Sequence, residues 1–296
     1  MGHHHHHNAE HSHSSKNLKV AFFLNFSFTI IEVIGGLWTG SLAILSDALH
    51  DLGDSISIGL SWYFQHLSDH KDSNEKFTYG YKRFSLIGAI VNAAILLVGS
   101  VIILSRAAPQ ILNPNEVNDE GMLIIAVFGV IVNGAAVFKL KKGKTLNEKA
   151  IRLHLLEDVL GWIAVLLGSF LIMYFDWQFI DPLLSVAIAI FIIYNVIKNL
   201  KESFGIILQT TPPDIDLRTL KDGLLELPEV INVHDCHVWS MDGSYHVFSA
   251  HIVLDEAYDL NKIVNTKSKC KMLLKELGIE HSTLEFEVEG EDCKGC

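Results

Sequence analysis

The stretch Ser46-Asp47-Ala48-Leu49-His50-Asp51-Leu52-Gly53-Asp54 puts three carboxylates and an imidazole inside an apolar segment that runs from Ser41 to about Phe64. A charged side chain near the middle of a bilayer costs about 2.5–3.5 kcal/mol on insertion scales, so such a cluster needs a function or a set of partners. A second cluster, His154-Leu155-Leu156-Glu157-Asp158, opens a later apolar run. His50/Asp54 and His154/Asp158 share the spacing i, i+4, which sets each pair on one face of a helix. Two such helices facing each other offer two nitrogens and two oxygens, a tetrahedral set suited to Zn²⁺.

Around this stretch the chain reads as a helical membrane protein. Mean hydropathy is +0.30, and the long apolar runs fall before about residue 200. They cover Leu18–Trp38, Leu42–Phe64, Phe84–Ser105, Met122–Leu140, Leu153–Phe175 and Pro182–Val196, which predicts six spans, the sixth the shortest. Lys and Arg sort by loop. Lys16 and Lys19 precede the first span, four basic residues lie between spans two and three, and six lie around the loop between spans four and five. The opposite loops hold one. The positive-inside rule therefore predicts cytoplasmic N- and C-termini. Span two then starts at the outer face, and at 1.5 Å per residue His50 lies roughly 13 Å down, near mid-membrane.

The remaining segments have a different character. From Lys201 onward nine Lys/Arg stand against eighteen Asp/Glu, so this part carries −9 of the net charge of −11. Such acidity argues against nucleic acid and suits a cation-handling domain. Thr211-Pro212-Pro213-Asp214 reads as a linker that also starts a helix over Ile215–Leu227. Val230–Met241 and Tyr245–Leu254 alternate as strands joined at Asp242-Gly243, Leu260–Leu277 is amphipathic, and Ser282–Glu289 alternates again. This αββαβ order predicts a small α+β domain with helices on one face of a sheet. The boundaries that follow are a His-rich tail over 1–15, expected to be disordered, a membrane domain over 16–200, a linker over 201–212 and a C-terminal domain over 213–296. The run His3–His7 reads equally as an affinity tag or a native tail; His11 and His13 add a His-x-His that can capture metal loosely. No basic region precedes an apolar core at the start, so a cleavable signal peptide is not expected.

A metal ligand must be deprotonated, so metal binding expels protons held at the same site, which is what an antiporter requires. Imidazole titrates near neutrality and makes both states accessible. Asp47 and Asp51 flank the His50/Asp54 pair. They read as supports for the ligands or as lining of a water-filled ion path, with a structural ion partner as the alternative for Asp47. Glu32 is a further candidate for the ion path. In the C-terminal domain a second constellation gathers His234, His237, His246, His251 and His281 with Glu285, Glu287, Cys293 and Cys296. Cys-x-x-Cys beside histidines in a cytosolic domain reads as a metal pair rather than a disulfide.

Gly40-Ser-Leu-Ala-Ile-Leu-Ser-Asp-Ala-Leu-His-Asp51, Phe77-Thr-Tyr-Gly-Tyr-Lys-Arg83 and His154-Leu-Leu-Glu-Asp158 resemble the cation diffusion facilitator family, most closely its zinc branch. The resemblance covers the chain after its His-rich tail. It implies a homodimer with six spans per subunit and a metallochaperone-like cytoplasmic domain, and export of Zn²⁺ in exchange for protons by alternating access. It also implies His50, Asp54, His154 and Asp158 as transport ligands. His234, His251 and Glu287 match a cytoplasmic zinc site, and His281 with Cys293 and Cys296 resembles a second one, completed by the N-terminal His-rich segment. On this reading the cytoplasmic metals clamp the dimer and sense zinc. One departure stands out. Some bacterial relatives carry metal-binding histidines around Phe-x-x-Gly, where this chain has Lys76 and Tyr81; His66, Asp69, His70 and Asp72 read as a solvated loop. Two other classes compete with a transporter. A membrane metalloenzyme would need an open coordination position and a general base. A membrane-anchored zinc sensor or storage protein would make six spans with buried ligands an excessive anchor.

Overall fold

The computed structural model describes residues 8–70, 73–140, 146–255 and 260–290, and within these the side chains of all but 8–18, 20–21, 61–62, 65–70, 139–140 and 146–154. The chain divides into two units. One holds the helices up to residue 72 together with Ile87–Leu200; the other holds Ser73–Leu86 and the chain from Lys201 onward.

Six long helices build the first unit: α1 (Asn8–Thr39), α2 (Leu42–His70), α3 (Phe84–Gln110), α4 (Asp119–Leu140), α5 (Leu146–Phe175) and α6 (Ile180–Ile207). Five are long and apolar enough to cross a membrane. The sixth, α2, has the length, at 29 residues, but carries Asp47, Asp51 and Asp54 in its middle. Side chains such as Leu24, Leu37, Ile131, Leu160 and Leu167 point outward and stay more than half exposed. A helix surface so apolar suits lipid.

Inside, α1, α2, α4 and α5 share a core of Phe28, Ala43, Ile44, Met122, Ala126, Trp162, Val165 and Ile172. The Trp162 ring lies so close over Gly129 that a Cβ there would fall 2.1 Å from its Cδ2. Helices α3 and α6 meet through Ala93, Leu96, Ile192 and Val196. The turn between α1 and α2 pivots on Gly40, whose φ of 71° only glycine adopts freely.

Several boundaries differ from the sequence reading: α2, α3 and α5 overrun their apolar spans, to His70, to Gln110 and from Leu146, so the backbone of His66, Asp69 and His70 is helical rather than a loop. The α1 backbone is already helical from Asn8, within the stretch expected to be disordered, because a helix nucleated on an apolar span propagates upstream at little cost. Helix α6 runs to Ile207, past Val196 and through the first half of the expected linker. Its polar end at Lys198, Lys201 and Glu202 closes the apolar run without breaking the helix. The helix expected from Ile215 starts only at Leu217, because Asp216 stands in extended backbone and its carboxylate accepts from the Arg218 amide as an N-cap.

In the second unit α7 (Leu217–Leu225), β1 (Val230–Ser240), β2 (His246–Leu254), α8 (Leu260–Glu276) and β3 (His281–Val288) follow in the expected order. The sheet order is β1-β2-β3, with β1/β2 antiparallel and β2/β3 parallel. A parallel neighbour needs a crossover, which α8 supplies. Asp242 Oδ1 accepts from the Ser244 and Tyr245 amides and closes the β1–β2 turn. Phe248, Ala250, Ile252, Leu254 and Leu284 face Leu220, Leu224, Cys270 and Leu274 of the helices. The Ser73–Leu86 loop packs into this unit, with Lys82 Nζ 4.1 Å from the Tyr245 ring centroid.

Candidate functional site

Two groups of ligand-type side chains stand out, one in each unit. In the membrane unit, α2 aligns His50 and Asp54 one turn apart, with Nε2 and Oδ2 separated by 3.9 Å. Helix α5 packs against α2 and carries Asp158, which is half-buried. Gly161 of α5 lies beside Asp47, 3.8 Å separating its Cβ position from Asp47 Oδ1. Asp47 and Asp51 are buried at 8% and 7% exposure, and Glu32 on α1 is fully buried. No hydrogen-bond donor among the described residues reaches either Glu32 oxygen. Glu32, Asp47, Asp51, Asp54 and Asp158 lie close enough to act electrostatically on one another. So many carboxylates withdrawn from water are costly unless cations or protons neutralise them.

Glu32, a candidate for the ion path in the sequence, sits inside the acidic cluster. Asn25 is the residue that sequence reasoning missed: its Nδ2 donates to the Asp51 carbonyl and to Ser55 Oγ, both at 3.0 Å, and so ties α1 to α2 beside His50. The signal was present, since Asn25, Thr29 and Glu32 are spaced i, i+4, i+7 and form a polar stripe on an apolar helix. The side chain of His154 lies outside the described residues, as do those of His11, His13, His66, Asp69 and His70. Glu157 is exposed.

In the C-terminal unit the odd-numbered residues of β2 and β3 face away from the helices. This puts His251, Glu285 and Glu287 on one surface, with His251 opposite Glu285 in the parallel register. On β1 the register shifts between His234 and His237, where Asp235 adopts a φ of 47°. The bulge lets Val233 and Val238 both point to the core while His234 stays directly across from His251. The ligand atoms of His234, His251 and Glu287 all lie within 4.8 Å of one another. Glu287 bridges the two rings, its Oε1 against His251 Nδ1 and its Oε2 3.3 Å from His234 Nε2. The other nitrogen of His251 faces Asp235 Oδ2 at 3.5 Å and Glu285 Oε2 at 3.6 Å. Sequence reading passed over Asp235, because only the bulge brings it to this surface.

His281 begins β3, opposite Val247 and six residues before Glu287, so it stands away from this trio, with Tyr79 edge-on at 5.6 Å. Cys293 and Cys296 lie outside the described residues. Cys270 is a core residue, and burial pushes its thiol up to about 11. Burial also raises that of Cys236.

Comparison with known proteins fits this two-part design. Residues 18–208 match the cation efflux transmembrane domain, and residues 212–287 match the cytoplasmic domain of cation efflux proteins. A cadmium, cobalt and zinc/H(+)-K(+) antiporter of Bacillus subtilis is 33% identical, over 98% of this chain and 93% of its own. The metal cation efflux system protein CzcD of Cupriavidus metallidurans is 31% identical, over 95% and 90%. The zinc transporter ZitB of Escherichia coli is 31% identical, over 96% and 94%. Matches of this extent show that the chain belongs to the cation efflux (cation diffusion facilitator) family, in its zinc and cadmium branch, a family of transporters rather than enzymes.

Proposed function

We propose that the protein is a proton-coupled antiporter that exports Zn²⁺ from the cytosol by alternating access, with Cd²⁺ and Co²⁺ as further substrates. His50 and Asp54 of α2 and His154 and Asp158 of α5 hold the metal in transit. The observation that carries this reading is the group of five carboxylates around His50, with Glu32, Asp47 and Asp51 buried and Asp54 and Asp158 half-buried, between helices whose outer faces are apolar enough for lipid. Two imidazoles shift the preference from hard ions towards zinc. Because the ligands bind either metal or protons, loading zinc releases protons, and a proton gradient drives the reverse exchange. Asp47, Asp51 and Glu32 hold the surrounding negative potential that draws cations in. The names of the relatives support this: one is a cadmium, cobalt and zinc/H(+)-K(+) antiporter, one a zinc transporter and one a metal cation efflux protein.

The protein works as a homodimer in a bacterial cell membrane with both termini in the cytoplasm. His234, His251 and Glu287 would hold a resident Zn²⁺, which would cross-link β1, β2 and β3. The donor set fits, since two imidazoles and a carboxylate converge within the reach of one ion. His281, Cys293 and Cys296 form a second cytoplasmic position, and His11 and His13 capture incoming metal.

The test is zinc uptake into proteoliposomes carrying a pH gradient, comparing the parent with Asp54→Ala and Asp158→Ala. Gradient-driven flux in the parent that is lost in both variants is the expected result. Flux surviving both changes would make these carboxylates structural. No flux in the parent would favour a membrane-anchored sensor.

A further inference from the structure

The helix that carries His50 and Asp54 begins at Leu42, and the amides of its first turn have no partner within the helix. Ser41 Oγ accepts from the Ile44 amide at 3.2 Å, an ordinary local cap. The Leu42 and Ala43 amides are different. They donate to the two carboxylate oxygens of Asp181, at 2.8 and 3.2 Å, across 139 and 138 residues of chain. The Ser41 hydroxyl donates to Asp181 as well. Asp181 is 1% exposed and lies in the first turn of α6, where Ser185 Oγ donates to its carbonyl. The positive ends of α2 and α6 thus meet on a single buried carboxylate, which offsets their repulsion and satisfies donors that water cannot reach.

The place of this tie in the unit matters. Helix α2 belongs to the core shared with α1, α4 and α5, and the first half of α6 packs on that same core through Ile180, Leu184 and Ile188, whereas its second half meets α3 through Ile192 and Val196. Leu49, next to His50, packs against that second cluster. Apolar faces can shift over one another at small cost, but buried charge-assisted hydrogen bonds resist separation. A motion of α3 and the second half of α6 against the other helices would therefore turn about the Ser41–Asp181 end, where α6 is held to α2 by hydrogen bonds and to the shared core by packing.

We propose that Asp181 is the pivot of the transport cycle, a positioning residue that fixes one end of α2 while the His50/Asp54 segment swings. The proposal rests on the transport function argued above. His50 lies eight residues beyond Leu42, roughly 12 Å along the helix, so a tilt of about 10° displaces it by about 2 Å. That is of the size by which packed helices shift in switching transitions.

The experiment uses the reconstituted full-length parent, Asp181→Asn and Ser41→Ala, with zinc affinity in detergent measured by calorimetry and zinc flux in proteoliposomes. Asp181→Asn is expected to keep zinc affinity and half-saturating zinc within about threefold, while maximal flux falls at least about tenfold. Ser41→Ala keeps both amide bonds and should lower maximal flux about two- to threefold at unchanged affinity. Flux of Asp181→Asn within about twofold of the parent overturns the pivot. So does a joint fall of affinity and flux, which marks a static staple. Should Asp181→Asn fail to fold, the same split between affinity and flux in Ser41→Ala decides. A parent that binds zinc yet moves none defeats the transport function itself, and is read before either variant.

Discussion

His234 and His251 stand directly across from each other on β1 and β2, their ring centroids 5.2 Å apart and their planes at 64°, with the Glu287 carboxylate bridging them. Two imidazoles and a carboxylate held this closely by three different strands are expected to bind zinc without rearranging the sheet. Replacing His251 or Glu287 by Ala should weaken zinc binding at least tenfold, by loss of a ligand. It should also reduce the rise in melting temperature expected when zinc is added to the parent. Calorimetry and thermal denaturation with and without chelator check both. An unchanged zinc response in His251→Ala would place the metal elsewhere.

Asp235 makes the same surface possible through its backbone. Its φ of 47° is a left-handed conformation that Asp and Asn tolerate and β-branched residues do not. Asp235→Asn should keep the sheet intact, while Asp235→Val should destabilise it by about 1–2 kcal/mol. Comparing both by chemical denaturation separates the backbone effect from loss of the carboxylate near His251.

Gly129 is a steric requirement of a different kind. A methyl group there would overlap the Trp162 ring at the centre of the membrane unit. Gly129→Ala is expected to cost about 1–3 kcal/mol by forcing α4 and α5 apart. A lowered melting temperature measured in detergent would register it, and Trp162→Leu should partly rescue the variant by vacating the space.

Cys270 links pH to stability. Its thiol is buried and titrates near 11 in the folded chain, against an ordinary value of 9.0. Between those two pH values the unfolded chain has lost the proton that the folded chain still holds, so stability falls as pH rises through the window. Below 9 the thiol is protonated in both states and contributes no slope. The expected loss is about 2–3 kcal/mol by pH 11. Cys270→Ala should flatten the slope between pH 9 and 11 relative to the parent, as followed by denaturant unfolding.

Much of this protein was legible in its sequence because two physical patterns dominate it. Runs of about twenty apolar residues leave the backbone no choice but a helix in lipid, so α1 to α6 followed from hydropathy. Alternation with a turn at Asp242-Gly243 gave β1 and β2, and the i, i+4 spacing put His50 beside Asp54. The ends of α1 and α6 were misjudged for one reason: composition marks where the apolar run stops, whereas the helix continues as long as its hydrogen bonds propagate.

Tertiary structure alone decided which distant residues share a site. Asn25 and Glu32 join the acidic cluster only because α1 packs on α2. Asp235 reaches His251 only because a bulge turns one residue out of register. Asp181 caps a helix that starts 139 residues before it ends up beside it. Periodicity along one element is a local property, written in the order of the residues. Contacts between elements depend on how several faces are buried together, and no single stretch of sequence records that.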